Sequence, residues 1–224
     1  NRLPCLAFKS FLWINFLMKF SRHAHLAYCT NVHRGNNWQE TFDSLEKYVM
    51  EVRKGVAPDQ RFAIGLRLGA HAAQELAEPR KLYQFRKWLD QKNAYVFTIN
   101  GFPHGNFHGS PVKEQVYQPD WTTNERLDYT LLLFSILEKL LDPGEEGSVS
   151  TLPGSFKEFL PDGEIPDVLL KKVNACALEM ENIAGSKNLD LHLGMEPEPL
   201  GLFETTEETV TFFEKLFQQD TDEE

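Results

Sequence analysis

The stretch Phe62-Ala63-Ile64-Gly65-Leu66-Arg67-Leu68 decides the fold class, because it is a short apolar run typical of a buried β-strand. Residues 70–91 follow it with helical periodicity that is interrupted at Pro79. A second apolar run with strand-forming residues then covers 95–100. Strand, helix and strand in this order predict two parallel strands joined by a right-handed crossover.

The same alternation continues toward both ends of the chain. The predicted strands are residues 25–29, 62–68, 95–100, 148–152 and 189–195. Capping patterns mark three of the helices that follow these strands, with Asn37 and Glu40, Thr122 and Glu125, and Thr205 and Glu208. Pro166 is placed to open another helix. The sequence therefore predicts an α/β fold built from five β/α units in series.

Two parallel architectures fit this order, an open doubly wound sheet and an eightfold TIM-type barrel. The first strand is followed by Thr30-Asn31-Val32-His33-Arg34-Gly35, which lacks the Gly-x-Gly-x-x-Gly pattern of a dinucleotide site. Polar side chains follow the carboxyl ends of the strands, as in a barrel. We predict a partial (β/α) TIM-type barrel over residues 21–224, incomplete with about five of the eight units.

Residues 1–20 are predicted to be an extension outside the core. This segment is apolar but is interrupted by Lys9, so it is too short for a membrane span of roughly 20 apolar residues. Two interpretations of the segment stay open. Met18 is the natural start of the protein, or residues 1–20 contain a signal peptide. In neither case is stable insertion into a membrane expected.

Charge and cysteine content limit which partners and which cellular compartment are expected. The 224 residues carry a formal net charge of −10, and their lysines and arginines form no basic stripe. A phosphate-rich partner needs such a stripe, so no nucleic acid is expected. The three cysteines lie far apart, so they predict no disulfide framework and favour a reducing compartment such as the cytoplasm.

The most specific polar motif is Met195-Glu196-Pro197-Glu198-Pro199 at the end of the fifth strand. Alternation in an extended chain places Glu196 and Glu198 on one side. Two close carboxylates repel each other unless a cation or a proton lies between them. The motif therefore indicates a divalent metal site or a general acid/base pair, with an acidic loop at the sheet rim as the structural alternative.

Further polar and aromatic side chains follow the first and third strands. The long loop after the third strand is rich in Gly and Pro, and loops of this length often carry function. Its histidines can act as ligands, bases or substrate contacts, or they are plain loop residues. The candidate substrate-binding residues are His33, Asn100, His104, His108, Tyr117 and Trp121.

Several segments together resemble the metabolite traffic protein EboE family. They are His25-Leu26-Ala27-Tyr28-Cys29-Thr30-Asn31-Val32-His33, Tyr95-Val96-Phe97-Thr98-Ile99-Asn100-Gly101-Phe102-Pro103, Pro111-Val112-Lys113-Glu114, residues 117–121 and Ser150-Thr151-Leu152-Pro153-Gly154. That family resembles the xylose-isomerase-like TIM barrels, which include sugar isomerases, epimerases and a DNA-repair endonuclease. The resemblance implies a barrel that handles a small metabolite, together with other proteins of the same traffic pathway.

Epimerases of the wider superfamily also carry a similar motif, here Glu198-Pro199-Leu200-Gly201-Leu202-Phe203-Glu204-Thr205. The resemblance implies that Glu198, more than Glu196, is a ligand for Mg, Mn or Zn, and that Glu198 and Glu204 are catalytic. The other usual ligands of that superfamily lie on strands six to eight. We therefore expect this length of chain alone to bind no metal and to be inactive.

Three functions remain as hypotheses at this point. The first is a metabolite-binding traffic protein whose barrel mouth holds a small polar or aromatic molecule. The second is a metal-dependent sugar isomerase or epimerase that moves a proton through a glutamate. The third, a DNA-repair endonuclease-like hydrolase, rests on fold analogy alone and conflicts with the acidic net charge.

Overall fold

Short strands alternate with longer helices along the chain, as seen in a computed structural model. The structure describes residues 19–21, 24–105, 113–160 and 163–221. The strands are β1 (Lys19–Ser21), β2 (Ala24–His25), β3 (Tyr28–Cys29), β4 (Phe62–Arg67), β5 (Ala94–Asn100), β6 (Glu146–Thr151) and β7 (Asp190–Met195). The predicted strand at 25–29 is thus divided between β2 and β3, and the other four predictions are confirmed to within two residues.

The helices occupy the connections between the strands of the sheet. They are α1 (Trp38–Ser44), a π-helical turn (Leu45–Val49), α2 (Met50–Val56), α3 (Ala70–Leu76), α4 (Pro79–Gln91), α5 (Asn124–Leu140), α6 (Asp167–Gly185) and α7 (Thr206–Thr221). The predicted interruption at Pro79 is confirmed, since Pro79 opens α4. None of the helices in the described ranges has the length and apolar character needed to cross a lipid bilayer.

Five of the strands form one parallel sheet in the order β3-β4-β5-β6-β7, while β1 and β2 form a separate antiparallel pair. Each strand of the sheet therefore lies beside its neighbour in sequence. Right-handed crossovers that always step in one direction place their helices on one face of the sheet. The chain is therefore an α/β protein with a parallel five-stranded sheet and helices between the strands, as predicted.

The two faces of the sheet differ in polarity at β6 and β7. Val149 and Leu191 are buried, whereas Ser148 and Ser150 are partly exposed and His192 is exposed. Helices α5 and α6 contact this part of the sheet. The alternation follows the two-residue period of a strand, so one face packs on the helices and the other carries polar side chains.

Helix caps show how the local sequence sets the element boundaries. Asn37 Oδ1 accepts a 2.8 Å hydrogen bond from the Glu40 amide, and Thr205 Oγ1 accepts one of 3.2 Å from the Glu208 amide, so both predicted caps are confirmed. The predicted cap at Thr122 is wrong by one residue, because Thr123 caps α5. The Thr122 hydroxyl instead donates to Asp120 Oδ1 at 2.5 Å.

Candidate functional site

The carboxyl ends of β5, β6 and β7 lie side by side and carry polar groups. Asn100 pairs in register with Arg67 on one side and with Ser150 on the other. The Asn100 side-chain oxygen accepts a 3.1 Å hydrogen bond from the Phe102 amide, which fixes the start of the following loop. The Glu196 amide donates to the Thr151 carbonyl at 2.9 Å, so the glutamate motif extends the sheet edge.

Tyr117 and Glu198 are brought together although they are distant in sequence. The Tyr117 hydroxyl shares its single proton between the Pro199 carbonyl, at 3.3 Å, and the Glu198 side chain. Burial, and then Glu198, raise the pKa of Tyr117 well above its ordinary value, so its phenol is neutral. The loop after β5 therefore approaches the glutamate motif, with a neutral donor beside the carboxylate.

Trp121 lies behind this edge and not on its surface. Its side chain is 0% exposed, and its Nε1–H donates to Thr151 Oγ1 at 3.1 Å. Its amide donates to the Gly154 carbonyl at 3.0 Å. A ligand on the surface of the described chain therefore does not reach Trp121, and Tyr117 is similarly buried with 4% exposure.

The predicted histidines lie in different places. His104 is partly buried, its ring lies 4.8 Å from that of Tyr129, and burial followed by the charge of Arg126 lowers its pKa. His33 packs between Tyr28 and Tyr48, with its Nε2 3.0 Å from the Tyr28 hydroxyl. Burial also lowers the pKa of His33. His108 lies outside the described residues.

Glu204 takes part in an ion-pair network at the start of α7. Its carboxylate lies 2.9 Å from Lys157 Nζ and accepts a 2.8 Å hydrogen bond from the Leu200 amide. Lys157 also pairs with Glu208 at 2.8 Å, and that carboxylate accepts from the Glu204 and Thr205 amides. The network ties the loop after β6 to the α7 cap, which gives Glu204 a structural role in this arrangement.

Acid should weaken the Lys157 network. Hydrogen bonds from Lys157 and from backbone amides lower the pKa of Glu208 to about 2, and that of Glu204 is also lowered. A carboxyl whose folded pKa is depressed stabilises the fold above its ordinary pKa and loses this contribution as pH falls through the folded value. In Lys157→Met, the melting temperature should therefore fall less than in the wild type between about pH 5 and about pH 2.

Lys171→Met is the matched control for that experiment, because Lys171 is an exposed lysine of α6. Its acid profile should follow the wild type. Parallel profiles for Lys157→Met and the wild type would show that the network contributes nothing, as many exposed ion pairs do.

The described residues do not fit the divalent metal site that the family resemblance implies. They include no group of three or more His, Cys, Asp or Glu side chains placed to hold an ion. Glu198 hydrogen-bonds with Tyr117, and a hard ion such as Mg²⁺ takes about six oxygen-type ligands. No reaction step is therefore assigned to a metal on the described part of the chain.

The sheet carries a row of polar side chains that was not predicted from the sequence. Thr98, Ser148 and His192 are register partners on neighbouring strands, and the Ser148 hydroxyl donates to Thr98 Oγ1 at 2.8 Å. The His192 side chain is 57% exposed. The alternation of polar residues in Glu146-Gly147-Ser148-Val149-Ser150-Thr151 was the available signal, since it differs from the continuous apolar run expected of a strand buried on both faces.

The site is thus a polar sheet face next to a rim that carries Asn100 and Glu198, with Tyr117 buried behind the rim. Comparison of the chain with protein-family models, curated proteins and solved structures finds no match.

Proposed function

We infer that the chain is a xylose-isomerase-like barrel protein, similar to the EboE metabolite traffic family, which binds a small polar metabolite at the carboxyl side of its sheet. The strand order supports the barrel. In doubly wound sheets the order reverses at a switch point, where the ligand binds. The described sheet steps from β3 to β7 without a reversal, which is the order of strands in a TIM-type barrel.

The observation that carries the binding function is the polar face of β5, β6 and β7. Barrel interiors are usually filled by Val, Ile and Leu. Here the face opposite the helices presents Thr98, Ser148 and Ser150 beside Asn100 and His192. Hydroxyl, amide and imidazole groups offer both donors and acceptors. They suit a hydroxyl-rich molecule such as a sugar or a cyclitol better than an apolar one.

The buried aromatic residues favour a polar ligand over an aromatic one. Tyr117 and Trp121 use their polar atoms on protein partners and are almost inaccessible. They shape the wall behind the rim, and the ligand contacts are left to Asn100, Ser150 and Glu198. This modifies the roles that the sequence assigned to the two aromatic residues.

One contact favours the isomerase or epimerase alternative. Glu198 is partly buried and hydrogen-bonds with the neutral phenol of Tyr117, which holds the carboxylate at the rim. A fixed carboxylate next to a bound sugar can remove and return a proton. Under this alternative Glu198 is the proton carrier, and Tyr117 positions it.

The proposal is tested by titrating the chain with xylose and with myo-inositol and following protein NMR shifts. Ser150→Ala removes one hydroxyl of the polar face and should weaken binding about 2- to 10-fold, the range for one net hydrogen bond. Ser135→Ala is the control, because Ser135 is exposed on α5 and bonds only within the helix. Equal affinity of Ser150→Ala and the wild type for every ligand that binds would contradict the proposed site.

The same samples separate binding from catalysis. A traffic protein returns the sugar unchanged, whereas an isomerase or epimerase gives new sugar resonances with time. Glu198→Gln keeps the shape of the side chain and one acceptor oxygen, so it should weaken binding without abolishing it in either case. If the wild type converts the sugar and Glu198→Gln does not, the result would contradict the traffic function and support the isomerase or epimerase function.

A further inference from the structure

Arg67 is a buried cation whose contacts are only partly satisfied. Its side chain is 6% exposed at the end of β4. Nη1 donates to the Gly35 carbonyl at 3.3 Å and Nη2 to the Gly105 carbonyl at 2.8 Å. The buried Nε–H has no hydrogen-bond acceptor within the described ranges. Of the five guanidinium N–H donors, two bond neutral carbonyls, and the buried Nε–H is left without an acceptor among the described residues.

A small cavity is lined in part by Arg67. Its volume is about 10 Å³, and its polar lining comes from Thr30, His33, Arg34, Thr41, Ser44 and Arg67. This volume holds about one water-sized particle. The lining includes two arginines and no carboxylate, although the chain as a whole carries a net charge of −10.

The hydroxyls around the cavity already use their protons or lone pairs on the protein. Thr30 Oγ1 accepts from the Arg67 amide at 2.8 Å, and Ser44 donates to the Arg34 carbonyl at 3.1 Å. Thr41 donates to the Asn37 carbonyl at 2.9 Å. All three hydroxyls are neutral, so none of them balances the charge of Arg67.

The charge of Arg67 is costly where it lies. Burial lowers the pKa of Arg67, and the main opposing influence is Tyr129, a phenol whose own pKa is raised. An arginine does not lose its proton in proteins, so it cannot escape the cost of burial by becoming neutral. Buried charges are normally paired with an opposite charge. Among the described residues, Tyr129 is the electrostatic influence on Arg67, and no carboxylate acts on it.

We propose that the cavity beside Arg67 binds one small anion of chloride size, held by the Arg67 Nε–H and by the positive potential of Arg34. A water molecule would satisfy the donor but would leave the buried charge uncompensated. An anion satisfies both. The site goes beyond the proposed metabolite site, since it lies at the loop after β3 and uses none of Thr98, Ser148, Ser150 or Glu198.

The anion would also stabilise the arrangement of two loops. Arg67 bonds the carbonyl of Gly35 in the loop after β3 and that of Gly105 in the loop after β5. Both loops lie at the carboxyl side of the sheet. Binding of the anion to the folded state alone therefore raises the melting temperature with its concentration.

The probe is sodium chloride, exchanged for sodium gluconate at constant ionic strength, and the readouts are the chloride NMR line width and the melting temperature. The wild type should show saturable broadening and a matching rise in melting temperature. Arg34→Met removes an exposed charge at the cavity and should raise the half-saturating chloride concentration about two- to five-fold, as expected for an exposed charge. Arg80→Met, an exposed arginine of α4, is the control and should match the wild type.

Arg67→Met should lose the saturable component, and Arg34→Met preserves the test if Arg67→Met does not fold. The absence of saturable broadening in the wild type would show that water fills the cavity, and it would overturn the proposal. An equal half-saturating chloride concentration in Arg34→Met and the wild type would show that any bound chloride lies elsewhere. This result would also overturn the proposal. Competition by acetate or inorganic phosphate at similar concentrations would contradict the proposal that the site accepts only anions of about the size of chloride.

Discussion

Replacing Trp121 with alanine should lower the free energy of unfolding by about 3–5 kcal/mol, the range for deleting a large buried aromatic side chain. Trp121 is 0% exposed, and its indole N–H bonds with Thr151 at the end of β6. The deletion leaves a cavity between the loop after β5 and the sheet, and it leaves the Thr151 hydroxyl without this donor. Urea unfolding followed by circular dichroism measures the loss.

Tyr83→Ala is the matched control, because the Tyr83 side chain lies on α4 and the residue is 69% exposed. Its stability should stay within about 0.5 kcal/mol of the wild type. From the sequence, Trp121 was predicted to contact the ligand, and this role and the buried structural role give opposite results. Loss of sugar binding with a loss of stability below about 1 kcal/mol would support the ligand contact and contradict the buried position.

The class of the fold could be predicted because local signals and long-range order agree. The apolar run at β4 and the period of the following helices are visible in the sequence, and the crossover rule turns their order into a parallel sheet. Caps such as Asn37 are equally local, since donor and acceptor lie three residues apart. These features depend on few distant contacts.

Strand partners were less predictable. Residues 25–29 form one apolar run, yet His25 belongs to an antiparallel pair with β1 while Tyr28 and Cys29 join the sheet. Pairing depends on which backbone groups lie nearby in the folded chain, and strand propensity carries no information on this. The cap was predicted at Thr122 and not at Thr123 for a similar reason. The Thr122 hydroxyl donates to Asp120 in the folded chain, so it does not cap the helix.

The candidate site was predictable in position but not in accessibility. Parallel strands bring Asn100 and the Glu198 motif to one edge, which is a consequence of topology. The burial of Tyr117 and Trp121 depends on how the loop after β5 folds back on β6. The burial of Arg67 and Arg126 was unpredictable for the same reason. Charged residues are usually exposed, and a sequence does not show which backbone carbonyls will bond an arginine that is buried.

Arg126 is the most buried charge of the loop region and stabilises it from the first turn of α5. The residue is 0% exposed, and its Nε and Nη1 donate to the carbonyls of Pro119 and Gly101, each at 2.8 Å. Its guanidinium also lies 5.5 Å from the Tyr129 ring. Since one carbonyl begins the long loop after β5 and the other lies near its end, this side chain holds the two ends of the loop together.

Arg126→Met should therefore lower the free energy of unfolding by about 2–4 kcal/mol, since hydrogen bonds from a charged donor contribute about 1.5–3 kcal/mol each. The loss is smaller than the sum of two such bonds, because burial lowers the pKa of Arg126 to about 10 and methionine removes this desolvated charge. Guanidinium denaturation measures the change. Arg80→Met, at an exposed position, should differ from the wild type by less than about 0.5 kcal/mol.

A stability of Arg126→Met equal to that of the control would mean that the freed carbonyls find water, and that the loop after β5 does not depend on this side chain. Hydrogen exchange of the Trp121 amide separates the two outcomes further, because this amide donates to the Gly154 carbonyl across the same loop. If Arg126 anchors the loop, exchange at Trp121 should accelerate in Arg126→Met more than at Val149, which lies in the centre of the sheet. Uniform acceleration at both positions would indicate global destabilisation without a local role for Arg126 in the loop.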